Sequence, residues 1–176
     1  GTIFTSMFMH GGWMHLIGNM LYLWIFADNI EDDLGILNFV IFYFVCGVGA
    51  AMSQVLTDVN SQIPMIGASG AIGGVLGAYL INYSNAKVLV LIPFGFFSQL
   101  IKIKALYVLG FWFILQFINS FISSSSGGGG VAYAAHIGGF ISGVILILFF
   151  NKKTRKKNYK KIVKKVNKNR KGPWEQ

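Results

Sequence analysis

The sequence contains few of the residues on which several classes of protein depend. Its 176 residues include one cysteine, Cys46, and only six Asp and Glu. A single cysteine excludes a disulfide-stabilised domain and a cysteine-rich zinc module. Charged residues make up 12% of the chain, about half of their usual share in soluble domains, while apolar residues make up 54%. This composition excludes a disordered chain, and it makes lipid the expected solvent of the folded protein.

Basic residues are absent from the first part of the chain. No Lys or Arg precedes Lys87, and twelve of the fifteen lie between Lys152 and Lys171. The net charge of +9 therefore describes a tail, and we expect no nucleic-acid partner. Apolar residues recur at helical spacing within the tail, which predicts an amphipathic helix on the anionic lipids of the inner leaflet. We expect a membrane domain at residues 1–151 and a basic cytoplasmic tail at residues 152–176.

Five apolar stretches predict an all-α fold, a polytopic bundle of membrane helices. A helix needs roughly 20 apolar residues to cross a hydrocarbon core of about 30 Å. The stretches that meet or approach this length are His15–Ala27, Ile36–Leu56, Ile66–Tyr83, Ala105–Ile122 and Val131–Phe150. The apolar segment Val88–Ile101 is shorter and contains Pro93, so it favours an interfacial hairpin over a further span.

The positions of the Lys and Arg residues predict the orientation of the bundle, because basic loops stay on the cytoplasmic side. The Lys87–Lys104 connection and the basic tail flank a pair of predicted helices, so both lie on one side, the inside. Polar connections are expected at Asp28–Asp33 inside, and at Thr57–Gln62 and Ser123–Gly130 outside. We therefore expect a multi-pass protein of the cell membrane with a cytoplasmic C-terminus.

Three predicted helices carry a polar side chain at one depth in the membrane. At about 1.5 Å per residue, His15, Ser69 and His136 each lie some 20 Å from the inner end of their helix, and thus roughly 10 Å below the outer surface. Polar groups inside a bilayer are costly and usually face a bundle interior or a water-filled cavity. We expect the three side chains to converge on a site that opens toward the outside.

Ser69 and His136 have the chemistry of a Ser–His dyad. A serine hydroxyl becomes nucleophilic when a base takes its proton, and His136 is the base at matching depth. No Asp or Glu falls within a predicted span, so no carboxylate is expected to orient the imidazole. His15 and Asn19 share a helix face. They can bind an oxyanion together with backbone N–H groups of Ala68 or Ser69, or they can simply join helices through polar contacts.

Small residues at every fourth position would let the two dyad helices approach closely. This spacing removes the side chains that hold membrane helices apart, although it also occurs in ordinary membrane-helix packing. The residues concerned are Gly70, Gly73, Gly74 and Gly77 on one helix, and Gly139 and Gly143 on the other. We expect these six glycines to pack beside the site.

Three segments together resemble the rhomboid family of intramembrane serine proteases. They are His10–Asn19, which matches the family pattern H-x4-H-x3-N, and Gly67–Gly70 and Ala135–Gly139. The resemblance implies that Ser69 is the nucleophile, that His136 is the general base, and that catalysis passes through an acyl-enzyme. It implies that His15 and Asn19 complete the oxyanion hole. It also implies that the substrates are membrane-spanning segments of single-pass proteins.

Two features depart from the family pattern. The family core has six membrane helices, and we expect five of them here, because the given sequence begins just before the second. Gly73 lies four residues after Ser69, where some members place an aromatic residue against the catalytic histidine, so we name Tyr133 as a candidate to orient the imidazole. The aromatic helix Ala105–Ile122 has the composition of a lateral gate toward lipid, and equally that of an ordinary lipid-facing helix.

Other functions stay open at this stage. A catalytically silent rhomboid-like protein that binds membrane proteins would share these features, and a serine-directed fluorophosphonate would distinguish it from an enzyme. A small transporter would also have interrupted helices with polar groups at one depth, but the predicted spans offer no charged residue for ion coupling. Three histidines without a carboxylate or a cysteine are a poor metal site, so we expect neither a metal nor an organic cofactor.

Overall fold

A computed structural model describes residues 2–57, 59, 64–94, 97–126 and 131–169. These residues form helices and one two-stranded sheet. In chain order the elements are α1 (Thr2–Ser6), α2 (Trp13–Leu34), α3 (Ile36–Thr57), α4 (Ser69–Tyr83), β1 (Lys87–Phe94), β2 (Phe97–Lys104), α5 (Ala105–Ser126) and α6 (Tyr133–Asn169).

The five predicted membrane helices are present as α2 to α6 and form a helical bundle. Within the described residues, three segments are long and apolar enough to cross a membrane, namely Ile36–Thr57, Ala105–Ile122 and Tyr133–Asn151. α4 has only 15 residues, but it contacts α2, α3, α5 and α6, and every residue from Ala71 to Tyr79 is buried. The shortest of the five helices is therefore the central one.

One two-stranded sheet accompanies the helices of the predicted all-α bundle. β1 and β2 form an antiparallel hairpin in which Lys87 pairs with Lys104 and Leu91 with Leu100. This hairpin contains the segment Val88–Ile101 that the sequence predicts as a hairpin. Alternating β-branched residues favour strands over a helix here because their side chains pack well on a pleated surface.

Two predicted connections are wholly or partly helical instead. Asp28–Asp33 belongs to the end of α2, which continues until Gly35 adopts a φ of +77°. A helix can continue through polar residues beyond the membrane, whereas a glycine with a positive φ ends it. Ser123–Ser126 extends α5, and the rest of that predicted connection lies outside the described residues. In the third predicted connection, Thr57–Gln62, Asp58 and residues 60–62 also lie outside the described residues.

α6 continues without interruption from its apolar segment into the basic tail. It runs as one helix to Asn169, with no break after residue 151. The side chains of residues 152–169, and the whole of residues 170–176, lie outside the described part of the chain. Binding of the tail to the inner leaflet stays a prediction.

The closest helix packing in the bundle is between α4 and α6. A Cβ atom added to Gly139 would overlap the carbonyl oxygen of Gly70, and one added to Gly143 would overlap that of Gly74. Added Cβ atoms on Gly73 and Gly77 would meet the carbonyl oxygens of His136 and Phe140, and one on Gly70 would lie 2.6 Å from Ala50 Cβ of α3. The six glycines singled out in the sequence therefore lie at tight contacts of α4 and α6.

The two ends of the bundle carry different polar groups. α4 and α6 begin at one end, which we call the Ser69 end. At the opposite end, the Asp33 end, the Asp33 carboxylate accepts hydrogen bonds from Asn82 Nδ2 (2.8 Å) and the Tyr83 hydroxyl (3.0 Å). Asn151 Nδ2 donates to Asn82 Oδ1 at 2.7 Å. This network joins α2, α4 and α6 close to the point where the basic tail begins.

Candidate active site

Ser69 and His136 form a hydrogen-bonded pair at the Ser69 end. Ser69 is the first residue of α4, and His136 lies in the first turn of α6. Ser69 Oγ and His136 Nε2 are 2.8 Å apart. A Cβ atom on Gly73 would lie 3.0 Å from the backbone carbonyl oxygen of His136, so the two helices meet with almost no side chain between them one turn below Ser69. Both side chains are half-buried.

The turn that leads into Ser69 requires a glycine for two reasons. Gly67 has a φ of +117°, a conformation that residues with side chains rarely adopt. A Cβ atom at this position would also lie 2.8 Å from His15 Nε2. The N–H of Gly67 donates to the carbonyl oxygen of Ser6 at 2.9 Å, which fixes the turn against α1. Ala68 follows as the buried N-terminal cap of α4.

His15 and Asn19 lie beside this turn. An added Cβ on Gly67 would be 3.8 Å from Asn19 Nδ2, so both side chains approach the backbone just before Ser69. His15 Nδ1 accepts the N–H of Gly11 at 3.4 Å, and in a neutral imidazole the hydrogen is then on Nε2, the nitrogen next to Gly67. Asn19 is 7% exposed, and its Nδ2 donates to the His15 carbonyl oxygen at 3.0 Å, with a second hydrogen left to donate.

Gln116 of α5 is a site residue that the sequence analysis missed. Its Oε1 lies 2.8 Å from Nδ1 of His136, and its Nε2 donates to the Trp112 carbonyl oxygen at 3.4 Å. Because the amide oxygen can only accept, Nδ1 must carry the hydrogen, and Nε2 is left with a lone pair toward Ser69. Gln116, which is 8% exposed, thus selects the tautomer that a general base requires.

A signal for Gln116 existed in the sequence. It is an amide within a stretch otherwise rich in aliphatic and aromatic residues, and polar groups in such segments usually face the bundle interior. Tyr133, our candidate for orienting the imidazole, meets the ring of His136 perpendicularly with centroids 6.4 Å apart, and Trp112 lies over it at 5.9 Å and 33°. The hydrogen bond to the ring comes from Gln116, while Tyr133 contacts the ring edge-on, so an orienting role for Tyr133 stays a prediction.

The outer face of α5 combines exposed aromatic rings, among them Phe111 and Phe117, with exposed aliphatic side chains such as Ile114. A gate and an ordinary lipid-facing helix would both have such a face, so the lateral gate stays a prediction.

Further contacts hold the dyad in place. Gln54 Oε1 accepts the N–H of Ala135 at 3.2 Å, which satisfies a donor in the first turn of α6 next to His136. The ring of His10 packs edge-on against His15 with centroids 5.2 Å apart. In the described part of the chain, no three His, Cys, Asp or Glu side chains form a group that could hold a metal ion.

A family model described as Rhomboid domain matches residues 2–153. The chain belongs to the rhomboid family. Membership together with the apolar helices makes it a multi-pass membrane protein.

Relatives of this rhomboid family member come from several kingdoms. The chain is 27% identical to Rhomboid protein 1, mitochondrial, of Saccharomyces cerevisiae, over 92% of the chain and 45% of the relative. It is 32% identical to Presenilin-associated rhomboid-like protein A, mitochondrial, of Danio rerio, over 79% of the chain and 31% of the relative. A candidate rhomboid protease of Bacillus subtilis, YdcA, is 28% identical over 88% of the chain and 69% of its own length. The chain thus spans less than half of the yeast and fish proteins.

Proposed function

We propose that this protein is an intramembrane serine endopeptidase that cleaves membrane-spanning segments of single-pass membrane proteins with a Ser–His dyad. The observation that carries the proposal is the 2.8 Å contact between Ser69 Oγ and His136 Nε2 within a bundle of the rhomboid family.

The first chemical step forms the acyl-enzyme. His136 Nε2 takes the hydroxyl proton as Ser69 Oγ attacks the carbonyl carbon of the scissile peptide bond. Gln116 Oε1 accepts the Nδ1–H both before and after this transfer, so the ring keeps its orientation. Collapse of the tetrahedral intermediate breaks the C–N bond, and His136 gives its proton to the leaving amine. One fragment leaves, and the other stays as an ester on Ser69.

The negative charge of the tetrahedral intermediate forms close to several hydrogen-bond donors. α4 begins at Ser69, so the backbone N–H groups of its first turn have no partner within the helix. The Nε2–H of His15 and the free amide hydrogen of Asn19 lie beside Gly67, just before this turn. One such donor contributes about 3 kcal/mol to transition-state stabilisation. In the second step water attacks the ester, His136 removes its proton, and Ser69 is restored.

The substrate must expose a backbone carbonyl near the end of a membrane helix. Carbonyl groups within a helix are bonded to the N–H four residues on, so only a segment that unwinds readily can reach Ser69. Small, helix-destabilising residues meet this need. We place the Ser69 end on the outside and the Asp33 end with the basic tail in the cytoplasm, because Lys87, Lys102, Lys104 and the tail lysines then obey the positive-inside rule.

The proposal is tested by reconstituting the purified chain in liposomes with a single-pass substrate whose membrane segment contains Gly and Ala near its outer end. We expect two fragments by mass spectrometry, with none from Ser69→Ala or His136→Ala. Ser142→Ala is the matched control, since Ser142 lies in α6 but packs against Gly49 away from the dyad, and it should cleave normally. Undiminished cleavage by Ser69→Ala would refute the assignment. Retention of the substrate without cleavage by the native chain would indicate a silent, binding member of the family instead.

A further inference from the structure

The β-hairpin presents one face that combines lysines and leucines. In an antiparallel pair, directly opposed residues point to the same face. Counted from the helices, the first three opposed pairs on this face are Lys87 with Lys104, Leu89 with Lys102, and Leu91 with Leu100. All six side chains are exposed, and the three leucines are 56–60% exposed. We call these six residues the lysine–leucine face.

The opposite face of the hairpin is the one directed to the protein. Val88 packs against the buried core of the bundle, and Val90, Ile101 and Ile103 are half-buried. The lysine–leucine face therefore points away from the bundle, and a partner outside the described chain can reach it.

The root of the hairpin lies where membrane helices end. β1 follows shortly after α4, and α5 begins directly after β2. The N–H of Ala105 donates to the Ala86 carbonyl oxygen at 2.8 Å, and that of Leu106 to Ser84 at 3.0 Å, so the root is fixed to both helices. Because the segment Ala105–Ile122 of α5 is long and apolar enough to span, the root sits at the lipid boundary. Strands of eight residues reach about 26 Å from there at about 3.3 Å per residue.

The lysines favour contact with negative charge, and the leucines favour an apolar environment. An anionic bilayer surface provides both. Two like charges opposed across strands destabilise a hairpin, and an anionic surface relieves that repulsion at Lys87 and Lys104. Exposed leucines lose contact with water when they enter the region between headgroups and acyl chains. Lysine stems can lie along apolar surface while the ammonium groups stay at the phosphates. A second copy of the same face would bring no negative charge to these lysines, because none of its six residues is acidic.

We propose that the lysine–leucine face binds the anionic lipid headgroups of the leaflet at the Asp33 end, in the membrane that holds the bundle. Leu89, Leu91 and Leu100 enter the interface, and the ammonium groups of Lys87, Lys102 and Lys104 contact lipid phosphates. The hairpin is then a second membrane contact on that side, in addition to the tail. This proposal does not depend on peptidase activity.

The test measures the lipid contact of the hairpin in the full chain. Leu91→Cys is made in a Cys46→Ala background, labelled with the fluorophore NBD, and placed as one copy per nanodisc of phosphatidylcholine, with or without phosphatidylglycerol. Nitroxide-labelled lipids report contact with the bilayer, and aqueous iodide reports contact with water. Because both leaflets of a nanodisc are alike, the result does not depend on the orientation of the chain. Val59→Cys, an exposed position near the Ser69 end, is the control label.

We expect nitroxide quenching of the Leu91 label to be about twofold stronger with anionic lipid, and to fall to the neutral-lipid level when Lys87, Lys102 and Lys104 are all replaced by Gln. In the chain that keeps its lysines, about 1 M NaCl, where the Debye length falls to about 3 Å, should have the same effect. The Val59 label should respond to neither change. Equal quenching in the two lipids, or a label reached by iodide in both, would overturn the proposal. So would quenching that appears only in discs with two copies, since it would identify a second chain as the partner.

Discussion

Gln116 Oε1 lies 2.8 Å from His136 Nδ1, the ring nitrogen opposite the one that faces Ser69. In a Ser-His-Asp triad a carboxylate occupies this position, holds the tautomer and stabilises the imidazolium. An amide can hold the tautomer but brings no charge. The site is therefore a Ser–His pair with a neutral acceptor behind the histidine, built from α4, α5 and α6.

Replacing Gln116 tests whether this acceptor positions the base. We expect Gln116→Leu to lower the kcat of cleavage about 10- to 100-fold with little change in KM, less than the roughly 10⁴-fold loss when a triad carboxylate is replaced. Gln116→Glu keeps an acceptor oxygen at the same reach and should restore most of the rate. The measurement is steady-state cleavage in liposomes, with thermal midpoints recorded for each variant.

Asn119→Leu is the control for this series, because it removes an amide from the same helix one turn beyond Gln116. It should cleave at the native rate. A Gln116→Leu variant that also cleaves at the native rate would show that His136 needs no orienting acceptor.

Removing either proposed oxyanion donor should lower the rate of cleavage. Asn19→Ala and His15→Ala should each lower kcat about 10²- to 10³-fold, corresponding to about 3 kcal/mol, because each removes one donor near Ser69. Asn38→Ala is the matched control. Asn38 Nδ2 donates to the Leu34 carbonyl oxygen at 2.8 Å, which is the same local bond that Asn19 makes to His15, but outside the site. Equal rates for the Asn19 and Asn38 variants would leave Asn19 with a structural role alone.

Substitution by alanine should have opposite effects at a tightly packed glycine of α6 and at a glycine of α5 that has open space beside it. Gly143→Ala would drive a methyl group into the Gly74 carbonyl oxygen, and overpacking of this kind costs about 1–3 kcal/mol. Gly110 of α5 has nothing within 4 Å of an added Cβ, so Gly110→Ala should stabilise the helix by about 0.5–1 kcal/mol. Thermal unfolding in detergent measures both, and a midpoint for Gly143→Ala at or above the native value would contradict the packing described here.

The network at the Asp33 end predicts a loss of stability without a loss of chemistry. Asp33→Ala leaves the Asn82 amide and the Tyr83 hydroxyl without this acceptor, which should cost about 1 kcal/mol in an exposed setting. Asp32→Ala removes the neighbouring carboxylate and serves as the control for charge. The thermal midpoint should fall only for Asp33→Ala, while both variants keep the native kcat. An equal fall in both would assign the effect to net charge.

Depth along a helix could be predicted from the sequence because the rise per residue is constant. That regularity is what placed Ser69 and His136 at one level, and the spacing of the glycines pointed to the face on which α4 meets α6. The rotation of α5 had a weaker signal. The amide of Gln116 indicates which face of the helix is interior, but its pairing with His136 depends on how α5 and α6 pack, which the sequence does not specify.

The ends of the elements were harder to predict than their existence. Asp28–Asp33 has the composition of a connection, yet the backbone stays helical because nothing before Gly35 favours ending it. Similarly, the segment Val88–Ile101 is apolar on both faces. Its short length and Pro93 predict a hairpin, which β1 and β2 confirm, but the strands run further than the apolar segment, to Lys87 and Lys104.

The most direct test of the central claim is covalent labelling of the folded chain with a fluorophosphonate, followed by mass spectrometry of its peptides. An activated hydroxyl displaces fluoride and carries the phosphonyl group, whereas an ordinary serine does not react. We predict a single adduct on Ser69, absent from Ser69→Ala and lost or greatly slowed in His136→Ala. A folded native chain that stays unlabelled, or an adduct that persists in Ser69→Ala, would contradict the account.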